Sequence, residues 1–179
     1  MLAEKEADLN AINKHYLSPL YLSILNKQLD CIDFLLESGA RVYQEGPNEE
    51  EMDRSPIFLA IREQQNDTLT SIYDQLEPDE AVRIKNSQGL TPVMFAAKNN
   101  YLEALNVLVL LDNNSINEED KNAMTILMHV LLADEFKPKL AKRLIRRGAD
   151  PNHIDRNGNP LLVKLTQIKQ TKLVKFLLD

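Results

Sequence analysis

The sequence contains few of the residues from which covalent cross-links and phosphate-binding loops are built. Cys31 is the only cysteine among 179 residues, tryptophan is absent, and glycine occurs five times. A single cysteine excludes an internal disulfide and a thiolate metal cage within one chain. No phosphate loop, dinucleotide glycine fingerprint or Gly-x-Ser-x-Gly elbow occurs. These absences argue against an enzyme and favour a reducing compartment, and we expect the cytoplasm, with the nucleus left open.

Long apolar runs and a basic leader are also missing. The longest apolar runs, 107–111 and 126–132, are far shorter than the roughly 20 residues that span a bilayer. The N-terminus carries acidic residues where a secretory signal has basic ones. We therefore predict neither direct membrane insertion nor secretion.

The charges are unevenly distributed along a chain of ordinary globular composition. Hydrophobic residues make up 44% and charged residues 27%, which is typical of a soluble globular protein, and the net charge is -6. Residues 1–80 hold 17 acidic and 6 basic side chains, whereas residues 81–179 hold 10 and 15. Because nucleic-acid affinity comes mainly from basic groups that neutralise phosphates, we predict no nucleic-acid partner.

An internal repeat dominates the pattern. Five tetrads share one pattern, in which a polar residue is usually followed by proline and then by apolar residues. They are Ser18-Pro19-Leu20-Tyr21, Ser55-Pro56-Ile57-Phe58, Thr91-Pro92-Val93-Met94, Thr125-Ile126-Leu127-Met128 and Asn159-Pro160-Leu161-Leu162. Their second positions are 37, 36, 34 and 34 residues apart. A polar cap followed by proline at the first helical position predicts that each tetrad begins a helix.

A second helix is predicted about a dozen residues after each tetrad. Apolar residues three and four apart mark it most clearly in 29–36 and 101–109. It ends at Gly39 in the first unit and at Gly148 in the fourth, where glycine supplies a left-handed cap. Polar residues at 86–89 and 155–158 predict a tight turn before the next tetrad.

This unit resembles the ankyrin repeat. The most specific matches are Gly89-Leu90-Thr91-Pro92 followed by Ala96-Ala97, and the segment 144–152, which is similar to the family's Leu-Leu-x-x-Gly-Ala-Asp-x-Asn ending. The resemblance implies an all-α solenoid of stacked helix-turn-helix units with short hairpin-like turns. The motif histidine is replaced in every unit, by Tyr21, Phe58, Met94, Met128 and Leu162. We therefore expect a less regular stack that relies more on apolar packing between repeats.

We predict that residues 1–179 form a single repeat domain. Its parts are the tail of a preceding repeat (1–11), repeat one (12–43), repeat two (44–80), repeat three (81–117), repeat four (118–152) and a truncated repeat five (153–179). An acidic insertion, 44–53, lengthens the turn of repeat two, and 76–80 lacks the Gly-Ala ending. Because solenoids need polar capping repeats, we expect a fragment of a longer array.

The sequence offers little for catalysis or metal binding. The histidines, His15, His129 and His153, fall in different units without ligand spacing, so we predict structural or surface roles for them. Cys31 is interpreted as a semi-buried packing residue. We predict no catalytic residue, no cofactor and no metal.

The resemblance implies that a protein partner binds the concave face, which is formed by the turn tips and the outer positions of the first helices. The repeat register assigns to it Lys14, His15, Leu17, Leu25, Met52, Arg54, Arg62, Gln88, Leu90, Lys98, Asn99, Lys121, Asn122, Met124 and Arg156. The apolar members Leu17, Met52, Leu90 and Met124 are either exposed anchors for the partner or packing residues between adjacent turns.

Two charged features have competing interpretations. Lys139, Lys142, Arg143, Arg146 and Arg147 form a convex patch on a second helix, which is either a solvated face or a docking patch for an acidic partner, a neighbouring domain or an anionic lipid surface. Residues 45–53 are either a solvated loop or a segment that steers a basic partner toward the concave face.

The leading hypothesis is a protein-protein interaction module, part of a larger cytosolic scaffold or adaptor. The alternative is a regulatory array of a larger enzyme or ion channel, whose partner is an adjacent domain of the same polypeptide. Fold alone does not identify the partner.

Overall fold

The computed structural model describes residues 7–44, 54–77, 80–112, 114–133 and 137–178. Across these ranges the chain forms helices joined by short turns, and one isolated antiparallel bridge, between Ile154 and Pro160, is the sole β interaction. The all-α fold class is therefore confirmed. Within the same ranges no helix is both long and apolar enough to cross a membrane.

The helices occur in pairs, one pair in each predicted repeat. Their bounds are α1 Pro19–Leu25 and α2 Leu29–Glu37; α3 Pro56–Arg62 and α4 Asn66–Gln75; the short α5 Glu80–Arg83; α6 Pro92–Lys98 and α7 Leu102–Leu111; α8 Ile126–Leu132 and α9 Pro138–Arg146; α10 Leu161–Gln167 and α11 Thr171–Leu178. The first helix of every pair has seven residues, about two turns, and is too short to be stable without its neighbours.

The helix starts follow the predicted cap chemistry in part. The Ser18 hydroxyl accepts the Tyr21 N–H at 3.2 Å, and the Thr91 hydroxyl accepts the Met94 N–H at 3.5 Å. Proline follows each of these two capping residues. Ser55 instead accepts the Gln44 N–H at 2.9 Å, which ties its helix to the preceding loop. Gly39 and Gly148 end α2 and α9 with φ of +85° and +93°, as expected for left-handed caps.

The helix of the fifth tetrad was predicted to start one residue too early. Pro160 is not the first helical residue but the extended residue before α10, which begins at Leu161. The reason is the preceding turn. It begins at Asp155, and α10 starts six residues later, the same interval that separates Asn86 from Pro92 and Asp120 from Ile126.

Successive pairs pack side by side. The first helices α1, α3, α6 and α8 contact one another in that order, and the second helices α2, α4 and α7 form a parallel row behind them. Fully buried side chains such as Leu20, Ile57, Met94 and Leu127 fill the space between rows. Phe58 and Phe95 meet edge to face at 5.2 Å and join repeats two and three. These side chains belong to one continuous core that runs through the stacked repeats.

Repeat two is the least regular unit. Its second helix ends at Gln75 in an extended residue, Leu76, rather than in a glycine cap, and the short helix α5 follows. Ala81 on that helix and Ile84 directly after it are buried. Because repeat two lacks the Gly-Ala ending, the chain leaves its second helix through an extended residue and a short helix instead of a glycine cap.

Candidate partner-binding face

We call the hairpin-like turn that precedes each tetrad a finger. Four of the fingers share one side-chain hydrogen-bonding device. In each finger turn, Oδ1 of an asparagine or aspartate accepts two backbone N–H groups, from the residues two and four positions later, at 2.7–3.1 Å. These four residues are Asn13, Asn86, Asp120 and Asp155. The fourth residue of each turn has positive φ, from +53° to +76°. The device fixes the hairpin-like fingers before any partner is present.

Hydrogen bonds also join neighbouring fingers. The Arg54 guanidinium donates to the His15 carbonyl, and the Lys121 N–H donates to the Gln88 carbonyl at 3.2 Å. The Arg156 N–H donates to the Asn122 carbonyl at 2.9 Å, and the Arg156 guanidinium donates to the Lys121 carbonyl at 3.2 Å. The fingers of repeats three to five are therefore held in fixed positions relative to each other, and Arg54 joins repeat two to the finger of repeat one.

Most of the predicted concave-face residues are accessible. Exposed side chains are those of Lys14, His15, Leu25, Arg62, Gln88, Lys98, Asn99, Lys121, Asn122 and Arg156. Leu17, Arg54 and Met124 are half-buried, and Leu17 and Met124 pack against the core. The fingers and the first helices thus bring these side chains together on one face, which remains a predicted binding site.

The structure does not show two apolar members of the predicted site, Leu90 and Met52, to be accessible. Leu90 is completely buried, so the prediction that it is available to a partner is wrong. Its N–H bonds Asn86 Oδ1 at 2.9 Å, and its side chain is thereby directed into the core between fingers. Of the two interpretations of these residues, packing between turns applies to Leu90. Met52 and the acidic segment 45–53 lie outside the described residues.

Two polar contacts inside the fingers were missed by the sequence analysis. Asp120 and His129 are both buried, and His129 Nε2 lies 3.1 Å from Asp120 Oδ2. Lys164 makes the equivalent contact with Asp155 Oδ2 one repeat later. Burial lowers the pKa of His129, and this effect outweighs the opposing attraction of Asp120. The Lys164 hydrogen bond, followed by the Asn159 N–H, lowers the pKa of Asp155.

A pattern in the sequence could have revealed these contacts. Where the finger begins with aspartate, the residue nine positions later is His129 or Lys164, which can satisfy the second carboxylate oxygen. Where it begins with Asn13 or Asn86, the residue nine positions later is apolar, Leu22 or Phe95. A buried carboxylate requires a second donor that an amide does not.

The second candidate patch lies on the outer side of α9. Lys139, Lys142, Arg143 and Arg146 are exposed, whereas Arg147 is half-buried and its guanidinium donates to the Val109 carbonyl. The Lys142 ammonium lies 5.7 Å from the centre of the Phe176 ring. A groove of about 450 Å³ lies between α7 and α9. It is lined by the apolar side chains of Leu102, Pro138 and Leu140 and by basic ones, which include Lys139 and Arg143 of the patch.

The side chains that could bind a metal ion or act as nucleophiles do not cluster within the described ranges. In the described part of the chain, no three His, Cys, Asp or Glu side chains lie where they could share a metal ion. Cys31 is exposed on α2, so its interpretation as a semi-buried packing residue is wrong. His153 joins repeats four and five through the Ala123 carbonyl at 3.0 Å. Burial, and secondarily Asp112, raise the pKa of Tyr73 in a crevice between repeats two and three.

Comparison with known sequences agrees with the stack. The model of the family "Ankyrin repeats (3 copies)" matches residues 57–155. The chain is 25% identical over 153 residues to the nuclear factor NF-kappa-B p105 subunit of Gallus gallus, and 26% identical over 155 residues to the ankyrin repeat protein nuc-2 of Neurospora crassa. These matches cover 84% and 86% of this chain but only 15% and 14% of the two relatives.

Solved structures share the fold over nearly the whole chain. EF0377, an ankyrin repeat protein, superposes with a TM-score of 0.80 at 18% identity, covering 98% of this chain and 87% of that one. The ankyrin repeat domain of Bcl-3 gives 0.79 at 20% identity, with 96% and 73% covered. A chain in the complex of the endopeptidase Bd0816 with the immunity protein Bd3460, from Bdellovibrio bacteriovorus, gives 0.70 at 22% identity, with 97% and 86% covered. Together with the family match over more than half of its residues, this shows that the chain belongs to the ankyrin-repeat family.

Proposed function

We propose that this chain is a protein-protein interaction module whose concave face binds a partner protein, as part of a larger scaffold or adaptor in the cytoplasm or nucleus. Ankyrin repeats generally mediate protein-protein interaction, and the fold is typically a non-catalytic module. The proposal is therefore contact with a partner rather than catalysis by this chain.

The observation that supports this face most strongly is its prior organisation. The four described finger turns are fixed internally by side-chain oxygens, and those of repeats three to five also by hydrogen bonds from finger to finger. A surface that is already ordered loses little conformational entropy when a partner binds, so more of the contact energy contributes to affinity. The exposed face of α9 lacks a comparable network among the described residues, apart from the Arg147 contact and the Lys142 ring contact.

Site-specific photo-crosslinking in the cells that naturally express the protein tests this proposal. A photoreactive residue at Leu25, which is 48% exposed on α1, is compared with one at Phe34, which is 66% exposed on α2 of the same repeat. Asn99 and Lys139 provide a second pair, near the end of α6 and on α9. We expect one recurrent adduct from Leu25 and Asn99. Adducts from Phe34 and Lys139 alone would show that the convex side is the binding surface.

The second candidate function is a regulatory array that docks on another domain of its own polypeptide, an enzyme or an ion channel. The observation in its favour is that the matched segment forms only 15% and 14% of the two relatives, so in those proteins it is a small part of a much longer chain. The same crosslinking experiment separates the two proposals. An adduct with no increase in mass, formed within one polypeptide, supports the regulatory array, whereas an adduct with a second protein supports the interaction module.

A further inference from the structure

The first and the second helices of repeats one to three differ in charge, in a chain whose net charge is -6. The first helices α1, α3, α6, α8 and α10 contain no acidic residue. By contrast, the outer helices of repeats one to three carry Asp30, Asp33, Glu37, Asp67, Asp74 and Glu103. Within the paired helices of these repeats, acidic side chains are therefore confined to the outer helices.

Three basic residues from successive repeats are linked along the concave face, Lys98 and Arg156 through their side chains and Lys121 through its backbone. The Lys98 ammonium donates to the Gln88 side-chain carbonyl at 2.7 Å, and the backbone carbonyl of Gln88 accepts the Lys121 N–H at 3.2 Å. The Arg156 guanidinium in turn donates to the Lys121 carbonyl at 3.2 Å. We call Lys98, Lys121 and Arg156 the basic row.

The basic row has no acidic partner among the described residues. All three side chains are exposed, and the ion pairs found among the described residues involve Lys85, His129, His153 and Lys164, not members of the row. Lys164 shows the contrast, because Asp155 neutralises it inside a finger. Exposed basic side chains from three successive repeats, without an acidic partner among the described residues, are suited to carboxylates that arrive from outside the chain.

From this geometry we infer that the partner presents an acidic, extended segment, rich in aspartate and glutamate, which lies along the basic row across repeats three to five. This inference rests on the proposed function and adds the chemistry of the partner. The row follows the stacking direction, so an extended segment meets the three cations in sequence, whereas the cations on α9 project from a convex surface. Electrostatic complementarity of this kind raises the association rate and weakens with added salt.

Fluorescence anisotropy with a defined probe tests the inference on the full chain. The probe is a fluorescein-labelled peptide in which glutamate alternates with glycine and serine, and its counterparts carry glutamine or lysine in place of glutamate. We expect the glutamate peptide alone to bind, with an affinity that falls as sodium chloride is raised. The variant Lys98→Gln/Lys121→Gln/Arg156→Gln is expected to bind roughly 3- to 100-fold more weakly, the range for losing three exposed ion pairs.

Two further variants control for charge and for folding. Lys139→Gln/Lys142→Gln/Arg146→Gln removes the same charge from α9, and we expect it to bind like the unmodified chain. Lys98→Arg/Lys121→Arg/Arg156→Lys keeps the charge of the row and is expected to retain binding within about threefold, which excludes a general folding defect. Equal or larger loss in the α9 variant would overturn the inference and move the acidic partner to the convex patch.

Other outcomes distinguish this inference from the proposed function. If crosslinking places a partner on the concave face but the glutamate peptide does not bind, the acidic chemistry is wrong and the proposed function stands. Equal affinity for single-stranded DNA would show a general polyanion site and overturn the inference. Peptide binding that requires neutralisation of Glu45, Glu49, Glu50, Glu51 and Asp53 would identify this chain's own acidic segment as the occupant, and would overturn it as well.

Discussion

At the scale of single residues, the finger turns depend on one oxygen and one left-handed residue. Asn86 Oδ1 receives two N–H groups, and Gly89 completes the turn with φ of +75°. A Cβ at Gly89 would lie 2.9 Å from the Lys121 backbone nitrogen of the next finger. The absence of a side chain therefore serves both the turn and the close approach of two repeats.

We predict that Gly89→Ala destabilises the chain more than Gly158→Ala does. The two glycines have nearly the same φ, +75° and +76°, but nothing lies within 4 Å of a Cβ at Gly158. Gly158→Ala should cost about 1–2 kcal/mol for the left-handed conformation. Gly89→Ala should cost roughly 1–3 kcal/mol more, because backbone must shift. Urea unfolding measures the difference, and equal losses would show that the close contact has no energetic effect.

We predict that His129 makes stability depend on pH. Burial lowers its pKa below the ordinary value of 6.5, so folding favours the neutral ring. The contribution is present above pH 6.5, and it is lost as the pH falls, because the unfolded chain then binds a proton that the folded chain resists. The slope of the unfolding free energy should reach at most about 1.4 kcal/mol per pH unit.

A comparison of variants isolates this effect. His129→Gln keeps a donor for Asp120 but cannot titrate, so its stability should change less between about pH 6.5 and pH 5 than that of the unmodified chain. His15→Gln, on an exposed finger, controls for the loss of a histidine as such. Parallel pH profiles for the unmodified chain and His129→Gln would contradict the assignment.

At the scale of helices, the sequence predicted the paired pattern because local signals and packing agree. Serine or threonine followed by proline marked α1, α3 and α6 correctly, and glycine marked the ends of α2 and α9. The prediction failed by one residue at α10, where Pro160 is extended. Proline is compatible with either position, and the interval from Asp155, a feature of the folded turn, decides between them.

Burial differs strongly between two second helices, α7 and α11. In α7, Ala104, Leu105, Leu108 and Val109 are buried, and the helix packs against α4 and α6. In α11 only Leu173 is buried, and the helix packs chiefly on α10. Since local stability follows buried contacts, α11 should open before the rest of the stack.

We predict different consequences for the same truncation in these helices. Leu105→Ala, at a side chain only 1% exposed, should destabilise the main unfolding transition by about 2–5 kcal/mol. Leu173→Ala should chiefly speed amide exchange in α11 and leave the main transition little changed. Native-state hydrogen exchange with urea unfolding measures both, and a loss in the main transition as large as that of Leu105→Ala would show that α11 unfolds with the whole stack.

At the scale of the whole molecule, the sequence predicted the surface better than the contacts within it. Exposed finger residues such as Lys121 and Arg156 follow from repeat register alone. The burial of Leu90 does not follow from the register, because the neighbouring finger decides whether an apolar residue beside a turn faces solvent or the core. The Asp120 contact with His129 was also missed, because a single repeat does not show which side chain satisfies a buried carboxylate.

The continuity of the concave face follows from the packing. The core extends from Leu20 to Leu173, and the first helices of repeats one to four contact one another in order. A partner that spans several repeats therefore meets positions that are already fixed, and binding should slow exchange on one side of the stack only.

The most direct test of this account is hydrogen exchange of the chain, measured with and without the partner that crosslinking identifies. We predict slower exchange in the finger turns at 13–17, 86–90, 120–124 and 155–159 and in the first helices behind them, with no change in α2, α4, α7 and α9. Protection confined to those outer helices would contradict the account, because the partner would then bind the convex side of the stack.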